Sequence, residues 1–207
     1  MVKPLLEQEA AARIEEAVRA IERRSATEVV VAILEKSGDY LDRRALVSAG
    51  AALGGTIATY FLVPQLPAFW LVLLQSVLGL LAFVVTGWEP LYRSLIPPER
   101  AERTVEQRAF ALFAEHGVHR TRDRTGLLIM VSELEHQVVI LGDSGLHERV
   151  GDTGWSSQVS LLVTRIREGQ TEQGILETLA YFEPIVAELA PPRADDVNEL
   201  PDTVVRE

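Results

Sequence analysis

Asp143, Glu148 and Asp152 place three carboxylates around one turn at the end of an apolar run, with Asp123 upstream. Hard cations such as Ca²⁺ and Mg²⁺ are held by several oxygen ligands, and open α/β sheets bind ligands at the carboxyl ends of their strands. A metal site built from this run would have Asp143 at the strand end. Glu148 would stand one helical turn on, and Asp152 would close the site from the next turn. Each residue also has a structural role open to it: Asp143 as a helix cap, Asp152 as a turn residue, Glu148 as a solvated side chain. There is no D-x-D-x-D-G ladder, so the pattern is not an EF-hand.

Other chemistries have less to work with. The string Gly142-Asp143-Ser144-Gly145 matches the surroundings of a trypsin-like serine. That chemistry needs an all-β fold with its histidine and aspartate upstream, and here the string follows an apolar run in a βα pattern. Leu146 also occupies the last position of G-x-S-x-G. The chain has no cysteine, which excludes disulfides, thiol nucleophiles and thiolate metal sites. Phosphatase chemistry is left with a metal-assisted route through Asp143 and Asp152. His116 and His119 are separated by Gly117, His136 sits in a tight turn and His147 on a short helix; all four read as solvated. The phosphate-cradling G-x-x-x-x-G-K-[ST] is absent and lysine is limited to Lys3 and Lys36, which argues against nucleotide hydrolysis. A formal net charge of -10 argues against nucleic acid, whose phosphates need a basic face.

The elements that would position these groups follow from periodicity. Leu5–Arg24 carries Ala10, Ile14, Val18 and Ile21 at helical spacing, and Val29–Leu34 is a nearly continuous β-branched run that suits a strand buried on both faces. Met1–Arg24 is acidic and amphipathic, not a signal peptide. Pro97-Pro98 opens a helix with a stripe through Ala101, Val105, Ala109, Leu112 and Phe113, which Gly117 ends. Leu127–Val131 and Val138–Leu141 are two further strands whose short connection predicts an antiparallel hairpin. Asp143 or Ser144 caps a short helix around Leu146–Val150. Gly151–Gly154 is a turn, and a helix led by Trp155 runs to Gly169. Thr171 caps the last helix, which Pro184 should kink or restart. Val29–Leu34 needs a place beside one of the other strands, because it cannot bury two faces alone. Ala194–Glu207 is an acidic tail with little that could pack.

Between Arg44 and Glu89 the chain has no charged residue and no histidine. A spanning helix needs roughly 20 apolar residues, so Ala45–Trp88 holds two, about 46–63 and 68–87, broken by Pro64-Gln65-Leu66-Pro67. The expected organisation is residues 1–44 as the first helix and strand of a domain, 45–88 as a transmembrane hairpin, 89–192 as the remainder of that domain and 193–207 as the tail. Arg43, Arg44, Arg93, Arg100 and Arg103 flank the spans while the intervening loop is bare, which places both termini in the cytoplasm and the chain in the cytoplasmic membrane. Trp70 and Trp88 suit interfacial anchors. Gly50 and Gly54, with Ala51 and Gly55 beside them, allow close helix approach, either to the second span or to another copy of the chain.

Arg124-Thr125-Gly126 followed by Leu127–Ser132, then Val138-Val139-Ile140-Leu141-Gly142-Asp143-Ser144-Gly145 and Trp155, resembles the TPM-domain family. Within it the chain is similar to the small bacterial membrane branch, to which Asn198-Glu199-Leu200-Pro201-Asp202 also fits. The resemblance implies a four-stranded α/β/α sandwich of Rossmann-like appearance. It also implies functions that range over phosphatases, calcium binders and membrane-attached assembly or receptor-accessory factors. A shared fold does not choose among them. The leading expectation is a non-enzymatic, membrane-anchored binding or assembly domain on the cytoplasmic face, with the bilayer and an unidentified protein as partners. The alternative is a phosphatase assisted by Ca²⁺ or Mg²⁺ at Asp143, Glu148 and Asp152, and a third is a ligand sensor using the sheet crevice.

Overall fold

The computed structural model describes residues 8–192 and 204–206. Residues 5–7 of the first stripe and residues 193–203 of the tail, with Asn198–Asp202, lie outside them. In chain order the elements are α1 (Gln8–Glu22), β1 (Val29–Leu34), α2 (Leu41–Leu62), α3 (Ala68–Val85), α4 (Glu89–Ser94), α5 (Pro98–Glu115), a 3-10 turn (Val118–Arg120), β2 (Leu127–Ser132), β3 (Gln137–Gly142), α6 (Ser144–Arg167), α7 (Thr171–Leu189) and β4 (Val205–Arg206). Two units result, one made of 1–37 with 103–207 and the other of 38–102.

The first unit is mixed α/β. Its sheet has the order β3-β2-β1-β4. β1 pairs with β2 in parallel, Val29 opposite Leu127 through Leu34 opposite Ser132, and β2 pairs with β3 antiparallel. All six residues of β1 and of β2 are buried, the burial that a near-continuous aliphatic run demands. Val29, Val31 and Ile33 point to one face, where Ile14 and Val18 of α1, Leu146 and Leu162 of α6 and Ile175, Leu179 and Phe182 of α7 close over them. Val30, Ala32 and Leu34 point to the other, against Val105, Ala109 and Leu112 of α5. The alternation of a strand thus supplies two cores, one on each side of the sheet.

Three local readings change. Val205–Arg206 forms a strand beside β1, although the tail's acidic composition gave little reason to expect packing; Val204 and Val205 are adjacent apolar residues that pack with the two cores. Pro184 lies inside α7 without restarting it. It sits on the exposed side, as does Ala180 four residues before, so the carbonyl that loses its helical partner meets water. Thr171 is buried in the first turn of α7, and Gln170 holds the cap position without a side-chain bond. Where a turn is expected over Gly151–Gly154, α6 departs from helix at Gly151 alone, whose φ of 67 favours glycine, and Asp152–Gly154 are helical. α6 is tied to α7 by Arg165, which donates from Nε and Nη2 to Glu177 at 2.9 Å each. These bonds, with one from Gln173, hold the Glu177 carboxyl below its ordinary value of 4.5.

The second unit contains two helices long and apolar enough to cross a membrane. α3 buries none of its residues and α2 buries only Ser48 and Ala52, so neither has the surroundings of a soluble core helix. Phe61, Leu62, Phe69 and Leu80 are among the apolar side chains left uncovered. The two helices meet through Gly79, which lies against Ala52 and the Ser48 carbonyl, and through Gly55, where a methyl would collide with Leu78. Gly50 and Gly54 have nothing within 4 Å of their would-be Cβ positions. Of the three glycines read as packing residues, only Gly55 therefore serves the helix pair; Gly50 and Gly54 face outward. At the other end of the pair, Arg44 Nη2 donates to the Phe83 carbonyl at 2.8 Å, and its guanidinium lies 4.2 Å from the Phe83 ring centre and 5.4 Å from that of Tyr92. A cation at the carboxyl end of α3 complements the helix dipole. Arg100 grips Asp42 through two bonds of 2.6 and 3.1 Å.

Candidate functional site

The two ends of the sheet carry different polar chemistry, because β3 runs against β1 and β2. Gly142, at the end of β3, stands opposite Leu127, at the start of β2. Asp143 is therefore at the carboxyl end of its own strand yet at the amino edge of the parallel pair. The rule that α/β sheets bind ligands beyond strand carboxyl ends concerns parallel strands, and Asp143 is on the wrong edge for it.

At that amino edge the backbone closes on itself. Asp143 is the N-cap of α6, and its Oδ1 accepts the Ser144 N–H at 2.6 Å. The next two amides of the helix, of Gly145 and Leu146, both point to the Arg124 carbonyl, at 3.0 and 3.3 Å. Arg124 reaches that position with a φ of 56, a left-handed conformation unfavourable by about 1 kcal/mol for a residue with a Cβ. Gly145 admits it, since a methyl there would lie 2.8 Å from the Asp123 carbonyl oxygen. The donors that make a helix N-terminus an anion site are thus already engaged. The Ser144 backbone, not its hydroxyl, is what Asp143 holds. Trp155 packs over Gly142, where a methyl would come within 2.5 Å of the ring, and His147 stacks on Trp155 at 6.0 Å.

Asp143 is buried, with Arg124 Nη1 at 3.6 Å from Oδ1, and its Oδ2 has no hydrogen-bond partner. That oxygen is a donor a cation could use. Ca²⁺ takes about six to eight oxygens, and among the described residues no three of His, Cys, Asp or Glu gather where a metal could be held. Glu148 is exposed on the first segment of α6 and Asp152 is exposed beyond its break at Gly151. Among the described residues the loose spacing in sequence has not brought the three carboxylates into one site. Asp143→Asn is accordingly expected to lower the stability of the α/β unit by less than about 1 kcal/mol in urea unfolding. Asn caps a helix almost as well as Asp, and the ion pair lost is to a largely exposed arginine.

The carboxyl edge of β1 and β2 holds a cluster that reading Glu133–His136 as a simple turn passes over. Glu135 is 6% exposed. Its carboxylate accepts the Ser37 N–H at 3.1 and 3.3 Å and the Ser132 hydroxyl at 2.6 Å, and the Ser37 and Ser132 hydroxyls lie 2.7 Å apart. The Glu133 and Leu134 amides donate to the Leu34 and Glu35 carbonyls at 2.9 Å. A buried carboxylate is tolerated only with such partners, and here they bind the β2–β3 turn to the exit of β1. The signal available in the sequence is a polar residue at or just beyond the end of each buried parallel strand, Ser37 and Ser132, with a carboxylate three residues after the second. Its bonds to the Ser37 amide and the Ser132 hydroxyl clamp that turn against β1.

Comparison with known proteins agrees with this fold. Residues 93–183 match the family model described as the TPM domain. The NMR structure of the BA42 protein from the psychrophilic bacterium Bizionia argentinensis is similar over 100% of this chain and 99% of its own, with a TM-score of 0.59 and 18% sequence identity. That likeness concerns the fold alone. No curated protein matches the chain.

Proposed function

We propose, starting from the TPM domain that the chain carries, that it is a membrane-anchored binding or assembly domain working on the cytoplasmic face. The observation that carries this reading is the bare apolar surface of α2 and α3, which bury almost nothing of themselves. At 1.5 Å per residue, α2 is about 33 Å long and α3 about 27 Å, which brackets the hydrocarbon thickness of roughly 30 Å. Trp88 and Trp70 are exposed near opposite ends of α3, as interfacial anchors would be. Arg43, Arg44, Arg93 and Arg100 gather on one side of the apolar segments and the Pro64–Pro67 loop has no charge, which orients the termini inward. Much of the polar chemistry at both sheet edges joins turns and helix starts to the strands, which favours a binding role over catalysis.

The full chain should resist alkaline carbonate extraction from bacterial membranes. A reporter active only outside the cytoplasm, fused after Glu207, should give no signal. Release into the soluble fraction would remove the anchor, and a strong reporter signal would invert the topology.

A further inference from the structure

Resting on the reading of the chain as membrane-anchored, we propose that the end of the hairpin where α2 begins and α3 ends is a binding site for the headgroup of an acidic phospholipid, with Arg44 as its central contact and Arg43 as the second. The two arginines follow one another in the first turn of α2. Arg44 is half-buried. Its Nη2 donates to the Phe83 carbonyl, and its guanidinium lies over the Phe83 and Tyr92 rings. It also rests against Gly87, where a methyl would come within 2.8 Å of Nη2. Among the described residues no carboxylate pairs with it. The neighbouring acid, Asp42, is already taken by the two bonds from Arg100. Arg43 is left 3.9 Å from that carboxylate and makes no hydrogen bond to a described side chain or backbone carbonyl.

The surroundings hold Arg44 in place without neutralising it. Tyr40 is fully buried, its amide donates to the Tyr92 hydroxyl at 3.3 Å, and the Arg100 guanidinium lies 5.4 Å from its ring centre. Arg100, Tyr40, Tyr92, Arg44 and Phe83 thus form one ladder of cations and rings. The end of the α3 dipole offers Arg44 only roughly half a negative charge. A cation at the border of a hydrocarbon layer is costly until an anion accompanies it, and an acidic leaflet supplies one. A planar guanidinium also matches phosphate oxygens well. The same place favours a lipid over a free phosphate. Leu80, Phe83 and Val84 share one face of α3 at helical spacing and are all exposed. The guanidinium over Phe83 therefore stands at the head of a bare apolar strip, and a molecule with both a phosphate and acyl chains covers the two together. Trp88, exposed next to Gly87, marks the interfacial level. A zwitterionic headgroup brings its own ammonium to the phosphate, so a headgroup with net negative charge is the better counter-ion.

The test uses the full chain in a mild non-ionic detergent, titrated with phosphatidylglycerol or with phosphatidylcholine of the same acyl chains. Bound lipid is counted by native mass spectrometry. Phosphatidylglycerol should bind about tenfold more tightly, the order expected for two arginines at a membrane surface. Arg44→Gln and Arg43→Gln should each weaken it by about fivefold, one arginine's share. Arg43 takes no part in the ring ladder, so Arg43→Gln decides the matter even if Arg44→Gln loosens the hairpin. Arg149→Gln, which removes an arginine paired with Glu188 on the α/β unit, should leave lipid binding unchanged. Glycerol phosphate, which has the phosphate without the chains, should not displace the lipid at equal concentration. Equal binding of the two lipids, undiminished binding to Arg43→Gln, or displacement by glycerol phosphate would overturn the proposal. The anchor reading fails by a different result, release of the native chain from its membrane by carbonate.

Discussion

Replacing residues 38–102 by a flexible glycine-serine linker is expected to leave a water-soluble domain that unfolds cooperatively, whereas a fragment beginning at Arg103 is expected not to fold. The two halves of the α/β unit, 1–37 and 103–207, are one compact body. The fragment loses β1, which lies between β2 and β4, and α1, which covers one face. Val29, Val30, Val31, Ile33, Leu34, Ile14, Val18 and Ile21 are all buried, and burying such side chains contributes on the order of 15 kcal/mol in sum. That matches or exceeds the whole net stability of a domain, about 5–15 kcal/mol. It also strips the parallel partner from β2, leaving Leu128 and Met130 exposed. Circular dichroism with urea titration checks both proteins. A fragment from Arg103 with a sharp unfolding transition would show that the first 37 residues are an accessory, not part of the core.

This interruption was legible in the chain because two signals are strong. A 44-residue stretch without charge is longer than one span and broken by two prolines, and an aliphatic run such as Val29–Leu34 has to be covered on both sides. The antiparallel β2–β3 hairpin and the break near Gly151 could be read for similar local reasons. β4 could not, because Val204 and Val205 are two apolar residues in an acidic tail and their partner strand is far away in sequence. α4 had no signal beyond Glu89-Pro90.

The candidate site was less legible, for a geometric reason. Asp143 follows a strand and precedes a helix, which is the sequence signature of a ligand edge. The direction of that strand relative to its neighbours decides which edge it is, and antiparallel pairing puts Asp143 opposite the crevice. The spacing of Asp143, Glu148 and Asp152 treated α6 as one rigid rod, whereas Gly151 interrupts it. Glu135 was hidden because a carboxylate in a tight turn is ordinarily solvated; only the pairing of β1 with β2 brings Ser37 to it. The outward direction of Gly50 and Gly54 likewise depends on which face of α2 meets α3.

Gly126 is where the next large effect is expected. Gly126→Ala should lower the stability of the α/β unit by about 3 kcal/mol, the upper range for forcing a methyl into packed surroundings. The reason is close approach and not a left-handed backbone. A Cβ at Gly126 would lie 2.0 Å from the Val118 carbonyl oxygen and 2.7 Å from Val118 Cγ1. Val118 is fully buried beneath α5 and the sheet, so it has little room to yield. The Gly126 carbonyl also accepts the Asp143 amide at 2.9 Å, so any shift of the backbone there pulls on the start of α6. Gly50→Ala provides the control: its methyl meets open space, and in a helix alanine is favoured over glycine by about 1 kcal/mol. Urea unfolding of the hairpin-deleted domain checks Gly126→Ala, and thermal unfolding of the full chain in micelles checks Gly50→Ala. A Gly126→Ala domain as stable as the native one would mean that Val118 and its turn can move aside.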